Sequence, residues 1–408
     1  MGCLGGNVRL RVLHVIHNLK REGAQTMVVN LAAALDPASA RAVVFPWRES
    51  GPYERRLKQA SVPVIQPLGG PAPLLRAVLT LRRVVREEKI DVVHAHMSDS
   101  AILVALALAG TGIPFVVTHH SNRLLPKERW AKHLLRRISS AWALRRAAFN
   151  IGVTPNVADR LKEEFSLPSG SVIHIPNGVN IPPQEAVDAA QISRLESEAG
   201  VPWPRITTLG RLAPVKRQDI AIDAIHHLRE ALPHIQLRIL GEGPLMQELA
   251  EQIELRQLST FVDLAGPTDN VASALCDTDI YVSTSSYEGL PVAVLEAMSW
   301  CLPVVATEVP GHRDVIHNGV DGCLVPFDDP QALAQQILRL CRSSTERREL
   351  GSAARDRAVR DFSDKAMADS YCETYLAALE RNTRGSRASR SFRGKFSILT
   401  PTGRTRRR

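Results

Sequence analysis

No stretch of this 408-residue chain is apolar for long enough to cross a bilayer: the longest uninterrupted run, residues 101–109, falls far short of the roughly 20 residues a spanning helix needs. The first residues do not show the basic, apolar and small-residue succession of a secretory leader. Both absences point to the cytoplasm. Cysteine is scarce as well. Cys3, Cys276, Cys301, Cys323, Cys341 and Cys372 share no CxxC and no metal-like spacing, which speaks against a disulfide framework and for thiols packed as small apolar residues in a reducing compartment. Acid is missing from one segment altogether: residues 381–408 hold ten Lys or Arg and no Asp or Glu, so a net charge of +9 leaves −1 for the rest. The body of the chain is nearly neutral and offers no basic stripe of the kind a nucleic-acid binder uses.

What is present is globular material, 44% apolar and 23% charged, in a length natural for two domains. Residues 9–16 (RLRVLHVI) form a short β-branched run, followed by a polar loop and a helical pattern over 24–35. The alternation recurs, with strands expected at 41–45, 63–65, 91–95, 114–118 and 150–153, and implies a parallel, doubly wound sheet. Pro182, Pro183 and a polar stretch to Pro204 read as a linker. A second series of strands is expected at 206–209, 236–240, 262–264, 280–284, 303–306 and 322–325, with late helices over 329–340, 345–361 and 365–380. The expected fold class is α/β with two Rossmann-like domains: 1–182, 183–364, a helix over 365–383 packing back toward the first domain, and a basic disordered tail over 384–408.

The densest chemical signal is SSYEGLPVAVLEAMS at 285–299, a loop feeding into a helix with Pro291 in its first turn. At the C-terminal end of a strand, such a helix start offers backbone N–H groups of Gly289 and Leu290 to phosphate or sugar oxygens. Eight helical positions between Glu288 and Glu296 would set the two carboxylates about 12 Å apart, too far for a glycosidase pair at about 5–10 Å and suited to opposite ends of one long ligand. Arg211 and Lys216, after the first strand of the same half, are fixed cations able to neutralise a diphosphate leaving group. Taken alone, each feature has a bland reading: a solvated cap for a loop glutamate, surface charge for an Arg/Lys pair.

Their joint order is more specific. GRLAPVKRQD at 210–219, LGEGP at 240–244 and YEGLPVAVLEAMSWCLPVVAT at 287–307 closely resemble glycosyltransferase family 4, and HIPNGV at 174–179 extends the likeness into the first half. The resemblance implies the GT-B architecture, two Rossmann-like domains facing a central cleft, and retaining transfer of a hexose-type sugar from a UDP- or GDP-sugar to a glycan or lipid-linked acceptor. It implies that Glu288 contacts sugar hydroxyls, Glu296 the ribose hydroxyls, and Arg211 with Lys216 the donor phosphates. The loop after the first strand, commonly GGAE in that family, here reads Glu22, Gly23, Ala24, Gln25. Gly23 is retained as a donor-loop residue and Gln25 is read as structural.

His119 and His120 stand at the C-terminal end of a strand, where doubly wound sheets place ligands, and His120 best matches the family's functional histidine in that loop. Its expected role is to position or electrostatically support the reacting sugar. His94 and His96 show no third ligand at a matching spacing, and the Asp277-Thr278-Asp279 triplet runs straight into a strand. Chemistry without metal or cofactor is therefore expected. A nucleotide-sugar epimerase of similar fold and a catalytically silent binding subunit are the competing readings. The basic tail is read as solvated, or as a peripheral contact with anionic lipid where an acceptor resides.

Overall fold

A computed structural model describes residues 9–70, 73–120, 130–200 and 204–394. The first half runs β1 (Leu10–Ile16), α1 (Gly23–Ala34), β2 (Ala40–Pro46), α2 (Tyr53–Gln59), α3 (Leu74–Glu87), β3 (Val92–His96), α4 (Met97–Ala107), β4 (Phe115–His119), α5 (Trp130–Leu144), β5 (Phe149–Gly152), α6 (Pro155–Phe165) and β6 (Val172–His174). The second runs α7 (Gln184–Gly200), β7 (Arg205–Leu209), α8 (Gln218–Leu228), β8 (Gln236–Leu240), α9 (Met246–Leu255), β9 (Val262–Gly266), α10 (Val271–Cys276), β10 (Ile280–Ser283), α11 (Val292–Ser299), β11 (Val304–Thr307), α12 (Pro310–Val315), β12 (Cys323–Val325), α13 (Pro330–Arg342), α14 (Ser344–Asp361) and α15 (Asp364–Gly394).

Each half builds a six-stranded parallel sheet, in the orders β2-β1-β3-β4-β5-β6 and β12-β11-β10-β7-β8-β9. Interior strands such as β4, β10 and β11 are buried along their whole length because helices cover both faces of a parallel sheet, whereas β8 and β9 at one side of the second sheet alternate buried and exposed residues. Full burial of a Val, Ile or Leu side chain contributes roughly 1.5–3 kcal/mol. In each sheet the order reverses once, between β1 and β3 and between β7 and β10. At such a switch point the loops leaving neighbouring strands diverge and open a crevice beyond the strand C-termini.

Three expectations are corrected. Residues 63–65 make only a single bridge, Val44 to Val64, because Pro63 and a preceding turn leave no run to pair. The stretch expected as a linker is helix α7: Ala, Gln, Glu and Leu are good helix formers and the two prolines precede it rather than interrupt it. Val187 and Ala190 of α7 are buried, and Arg194 donates to the carbonyls of Leu275, Cys276 and Trp300. The last helix continues to Gly394, well into the segment expected to be disordered, since adding a residue to an existing helix is far less costly than starting one. Residues 395–408 lie outside the described residues.

Helix α15 belongs physically to the first half. Met367, Tyr371, Tyr375 and Ala378 are buried, and the helix packs against α1, β3 and β4. The anchor is polar: His94 of β3 bonds the Tyr375 hydroxyl through Nδ1 (2.8 Å) and Thr118 through Nε2 (2.7 Å), and Thr118 bonds Tyr371 at 3.0 Å. The chain therefore crosses between the halves twice, and a bridge from Val179 to Ser363 ties the two crossings together.

Candidate active site

In the second half, the loops after the two switch-point strands carry the site residues expected from the sequence. The loop after β7 carries Arg211 and Lys216, and the loop after β10 carries Glu288 and Gly289 into α11. Backbone bonds lock one loop on the other: Ser286 N donates to Val215 O at 2.8 Å, and the Thr284 hydroxyl to Lys216 O at 3.0 Å. A third strand end supports them. Gly241 has φ +155°, and a Cβ there would stand 1.9 Å from Gly210 O, so the LGEG turn must be glycine to pass beneath the GRL loop.

Lys216 Nζ and Ser285 Oγ both donate to Glu288 Oε1, each at 2.6 Å. Burial alone would raise the Glu288 carboxyl, but Lys216 and then His312 outweigh it and hold the group below the usual range. His312 is a residue the sequence reading missed. It is fully buried behind Glu288, bonded to Ser283 Oγ at 2.9 Å and to the Thr307 carbonyl at 2.7 Å. Its signal lay in Pro310-Gly311-His312: a Cβ on Gly311 would come within 2.7 Å of Glu288 Cβ and of Gly289 O, so only glycine lets this turn back the glutamate.

The expected geometry of the acidic pair needs correction. Helix α11 begins at Val292, with Pro291 as its N-cap, so Glu288 lies in the loop and the helical spacing between Glu288 and Glu296 does not apply. The two carboxylates also differ in environment. Glu296 is only partly buried, yet loss of water raises its carboxyl to about 7, opposed weakly by Arg56 of α2 across the cleft. It makes no side-chain hydrogen bond among the described residues. Gly289 and Leu290 are buried at the mouth of α11, and their N–H groups bond no other described residue.

The first half meets this site through the loop after β1. Glu22 Oε1 lies 3.1 Å from Arg211 Nη1, and Arg21 pairs with Glu242 (3.4 Å) and with Asp269. Gly23 is the first residue of α1, and a Cβ there would meet nothing within 4 Å, so the protein itself does not require glycine at this position. Gln25 is buried and donates to Asn18 at 2.7 Å.

His120 follows β4 at the same sheet edge and heads a buried chain of imidazoles. His120 Nε2 is 3.2 Å from His96 Nδ1, and His96 Nε2 is 3.1 Å from His14 Nδ1. Burial lowers all of them, His14 and His120 to about 3 and His96 well below its ordinary range, so the rings are neutral at physiological pH. His120 Nδ1 and His14 Nε2, the two ends of the chain, are buried without a hydrogen-bond partner. A neutral imidazole has one donor and one acceptor, so the three tautomers are coupled. His119 is not part of this chain of bonds: it is buried, and burial lowers it to about 4.

The sequence showed no third ligand for His94 and His96, whereas the fold brings His14 to them, with ligand atoms within 4.8 Å of one another. Both His94 nitrogens are already bonded, to Tyr375 and Thr118. The Asp277-Thr278-Asp279 triplet is structural at two positions: Asp279 accepts from the Arg205 backbone (2.7 Å) and Nε (3.0 Å), and Thr278 bonds Thr207 at 2.8 Å.

A cationic loop and a glutamate at a helix start in the second half thus face the loop after β1 and the histidine-bearing edge of the first sheet. A family profile described as Glycosyltransferase Family 4 matches residues 21–181, and one described as Glycosyl transferases group 1 matches 203–343. The chain belongs to the GT-B glycosyltransferases. The enzyme is 26% identical over 308 residues to the putative glycosyltransferase EpsF of Bacillus subtilis, covering 73% of this chain and 79% of that one. It is 25% identical over 275 residues to the UDP-Gal:alpha-D-GlcNAc-diphosphoundecaprenol alpha-1,3-galactosyltransferase of Escherichia coli, covering 65% and 70%. Among solved structures, HepE of Anabaena in complex with UDP-glucose superimposes with a TM-score of 0.75 at 21% identity, covering 90% of this chain and all of that one. The enzyme thus has the two-domain fold with its cleft between the sheets.

Proposed function

We propose that the enzyme transfers a hexose-type sugar, with retention of configuration, from a nucleotide-diphosphate sugar to a glycan or lipid-linked acceptor in cell-surface polysaccharide or glycolipid synthesis. The observation that carries this reading is the pairing of Lys216 with Glu288 at 2.6 Å at the mouth of α11, with the half-buried, unbonded Glu296 one helix turn further in. Lys216 and Arg211 supply positive charge where a diphosphate departs, and the α11 start adds N–H donors. Glu288 accepts from sugar hydroxyls, while Glu296 accepts from the two ribose hydroxyls at the other end of the donor.

In the transfer, the bond from the anomeric carbon to the diphosphate breaks, the bond to the acceptor oxygen forms, and the acceptor hydroxyl's proton passes to an oxygen of the departing diphosphate. The cations take up the charge left on the diphosphate. His120 presents Nδ1 to the reacting sugar and, being neutral, orients it rather than attacking it. Closure of the two domains brings acceptor and donor together and excludes water.

Uridine donors come first in the test, because HepE was solved with UDP-glucose and the E. coli relative is named for UDP-Gal. Incubation with a panel of UDP- and GDP-sugars and extracted lipid-linked glycans, followed by NMR of the product, should show one diphosphate released and the donor's anomeric configuration kept. An inverted product overturns retention, and interconverted free nucleotide sugars without transfer establish the epimerase instead.

A further inference from the structure

At the edge of the first sheet opposite the cleft, β4 and β5 begin beside the last turn of α4, the end of α5 and the middle of α15. These elements enclose a cavity of about 370 Å³. That size lies within the roughly 300–1,000 Å³ of small-molecule sites. Its floor is apolar, made of Ala105, Leu108, Pro114, Phe115, Ala148 and Ala378.

The rim is cationic. Arg146 and Arg381 line the cavity, each guanidinium held on an aromatic face: Arg146 lies 4.3 Å from the Trp142 ring centre and Arg381 4.0 Å from that of Phe149. Arg381 donates to the carbonyls of Ala148 (2.9 Å) and Gly170 (2.7 Å), which leaves further N–H groups of its guanidinium free to bond a ligand. Among the described residues neither arginine forms an ion pair, and no Asp or Glu lines the cavity. The carbonyls at the C-terminal end of α4, which would repel an anion, are taken: Arg82 Nε donates to Ala107 O at 2.8 Å and Nη2 to Ala109 O at 3.0 Å. Two like charges without a counter-ion, set above an apolar floor, select a ligand with a negative head and an apolar body. The last residues of the chain supply no such head from their side chains, since 395–408 hold Lys and Arg and no Asp or Glu.

We propose that this cavity is a second binding site, separate from the donor site, for a small organic anion: a carboxylate or phosphate carried on an apolar body. The body lies on Leu108, Phe115 and Ala378, and the head takes N–H groups from Arg146 and Arg381. Ala378 and Arg381 belong to α15, the helix that returns from the second half, so an occupant ties that helix to α4 and β4. The cavity stands at the opposite end of β4 from His119 and His120. Its occupancy therefore does not depend on the donor chemistry proposed above, and either reading can fail without the other.

Calorimetry and methyl NMR of the full chain with 2-naphthoate, 2-naphthyl phosphate, 2-naphthalenemethanol and inorganic phosphate test it. At least one naphthyl anion is expected to bind one per chain and to shift the methyl signals of Leu108 and Ile113, the tighter of the two identifying the head group. The neutral alcohol and inorganic phosphate, each offering half of what the cavity recognises, are expected to bind at least tenfold more weakly. Arg146→Glu reverses an exposed charge, and Ala109→Phe fills the cavity from an exposed position on its wall. Each should weaken the bound anion at least tenfold with the Tm of the free protein unchanged, whereas Lys216→Ala should leave its affinity as it was. Failure of both anions to bind overturns the proposal. So does an alcohol bound as tightly as the anion, affinity that survives either cavity variant, or affinity lost in Lys216→Ala, which would assign the anion to the donor site.

Discussion

Glu22 of the first domain stands 3.1 Å from the Arg211 guanidinium of the second, the cation proposed above to serve a donor phosphate. Both side chains are substantially exposed, so the pair contributes at most about 1 kcal/mol. A phosphate must displace the Glu22 carboxylate, or share the guanidinium with it. Glu22→Gln should therefore tighten nucleoside diphosphate binding by about two- to fivefold, measured by calorimetry at low salt, with the gain shrinking as salt screens the charges. Weaker binding in the variant would show instead that Glu22 itself serves the donor.

Lys216 and Glu288 are more enclosed, and each partner depends on the other. Lys216→Ala leaves a desolvated carboxylate without its counter-ion and, for this partly buried pair, should cost about 1–3 kcal/mol in denaturant unfolding. Lys216→Met/Glu288→Gln should recover most of that stability and none of the activity. If the double variant is as unstable as the sum of the single ones, the pair is not coupled.

Glu296 gives a prediction with opposite signs for stability and function. Its folded carboxyl titrates at about 7, above its ordinary value of 4.5, so the folded state holds this proton more tightly than the unfolded chain does. The associated stability is complete below pH 4.5 and is lost as pH rises through about 7. At pH 8, Glu296→Gln should raise Tm by about 1–3 °C while weakening nucleotide binding at least tenfold. In the wild type, affinity should rise between pH 6 and 8 as the carboxylate that accepts ribose hydroxyls forms. A pH-independent affinity would remove Glu296 from the nucleotide contact.

His96 touches His120 but lies fully inside the sheet, so it can act only by setting which His120 nitrogen carries the proton. His96→Phe should lower kcat about 10- to 100-fold, an expectation in the range of other orienting partners, with nucleotide affinity preserved. Nitrogen-15 spectra should show a changed His120 tautomer. Equal losses in kcat and in nucleotide binding, with the tautomer unchanged, would mark His96 as a packing residue. Because burial holds these imidazoles far below their ordinary range, the wild-type kcat should show no histidine titration between pH 5.5 and 8.

Much of this architecture was legible in the residues because strands buried on both faces leave short apolar, β-branched stretches, as at 115–117 and 304–306, and glycines mark turns between elements. Helix α7 was not, since prolines before a polar helix read like a linker until Arg194 is seen reaching three carbonyls of the second domain, to which α7 belongs. Arg211, Lys216, Glu288 and Glu296 stood out through their order along the chain. Contacts made only by folding did not: His14 was one polar residue in an apolar strand, His312 sits two loops away from Glu288, and Arg21 finds Asp269 across 248 positions. Glu288 was placed on a helix that in fact starts after it, because Pro291 is the extended N-cap of α11 and the helix begins at Val292.

The most direct test of the central claim is thermal stabilisation by UDP, GDP, ADP and CMP in the wild type, Lys216→Ala and Glu296→Ala, since a ligand that binds only the folded state raises its Tm. The expected result is stabilisation by one diphosphate, abolished in both variants. No response of the wild type to any nucleotide, or a response that both variants retain, would contradict a donor site at Lys216 and Glu296 and favour a binding subunit that keeps the fold without the transfer.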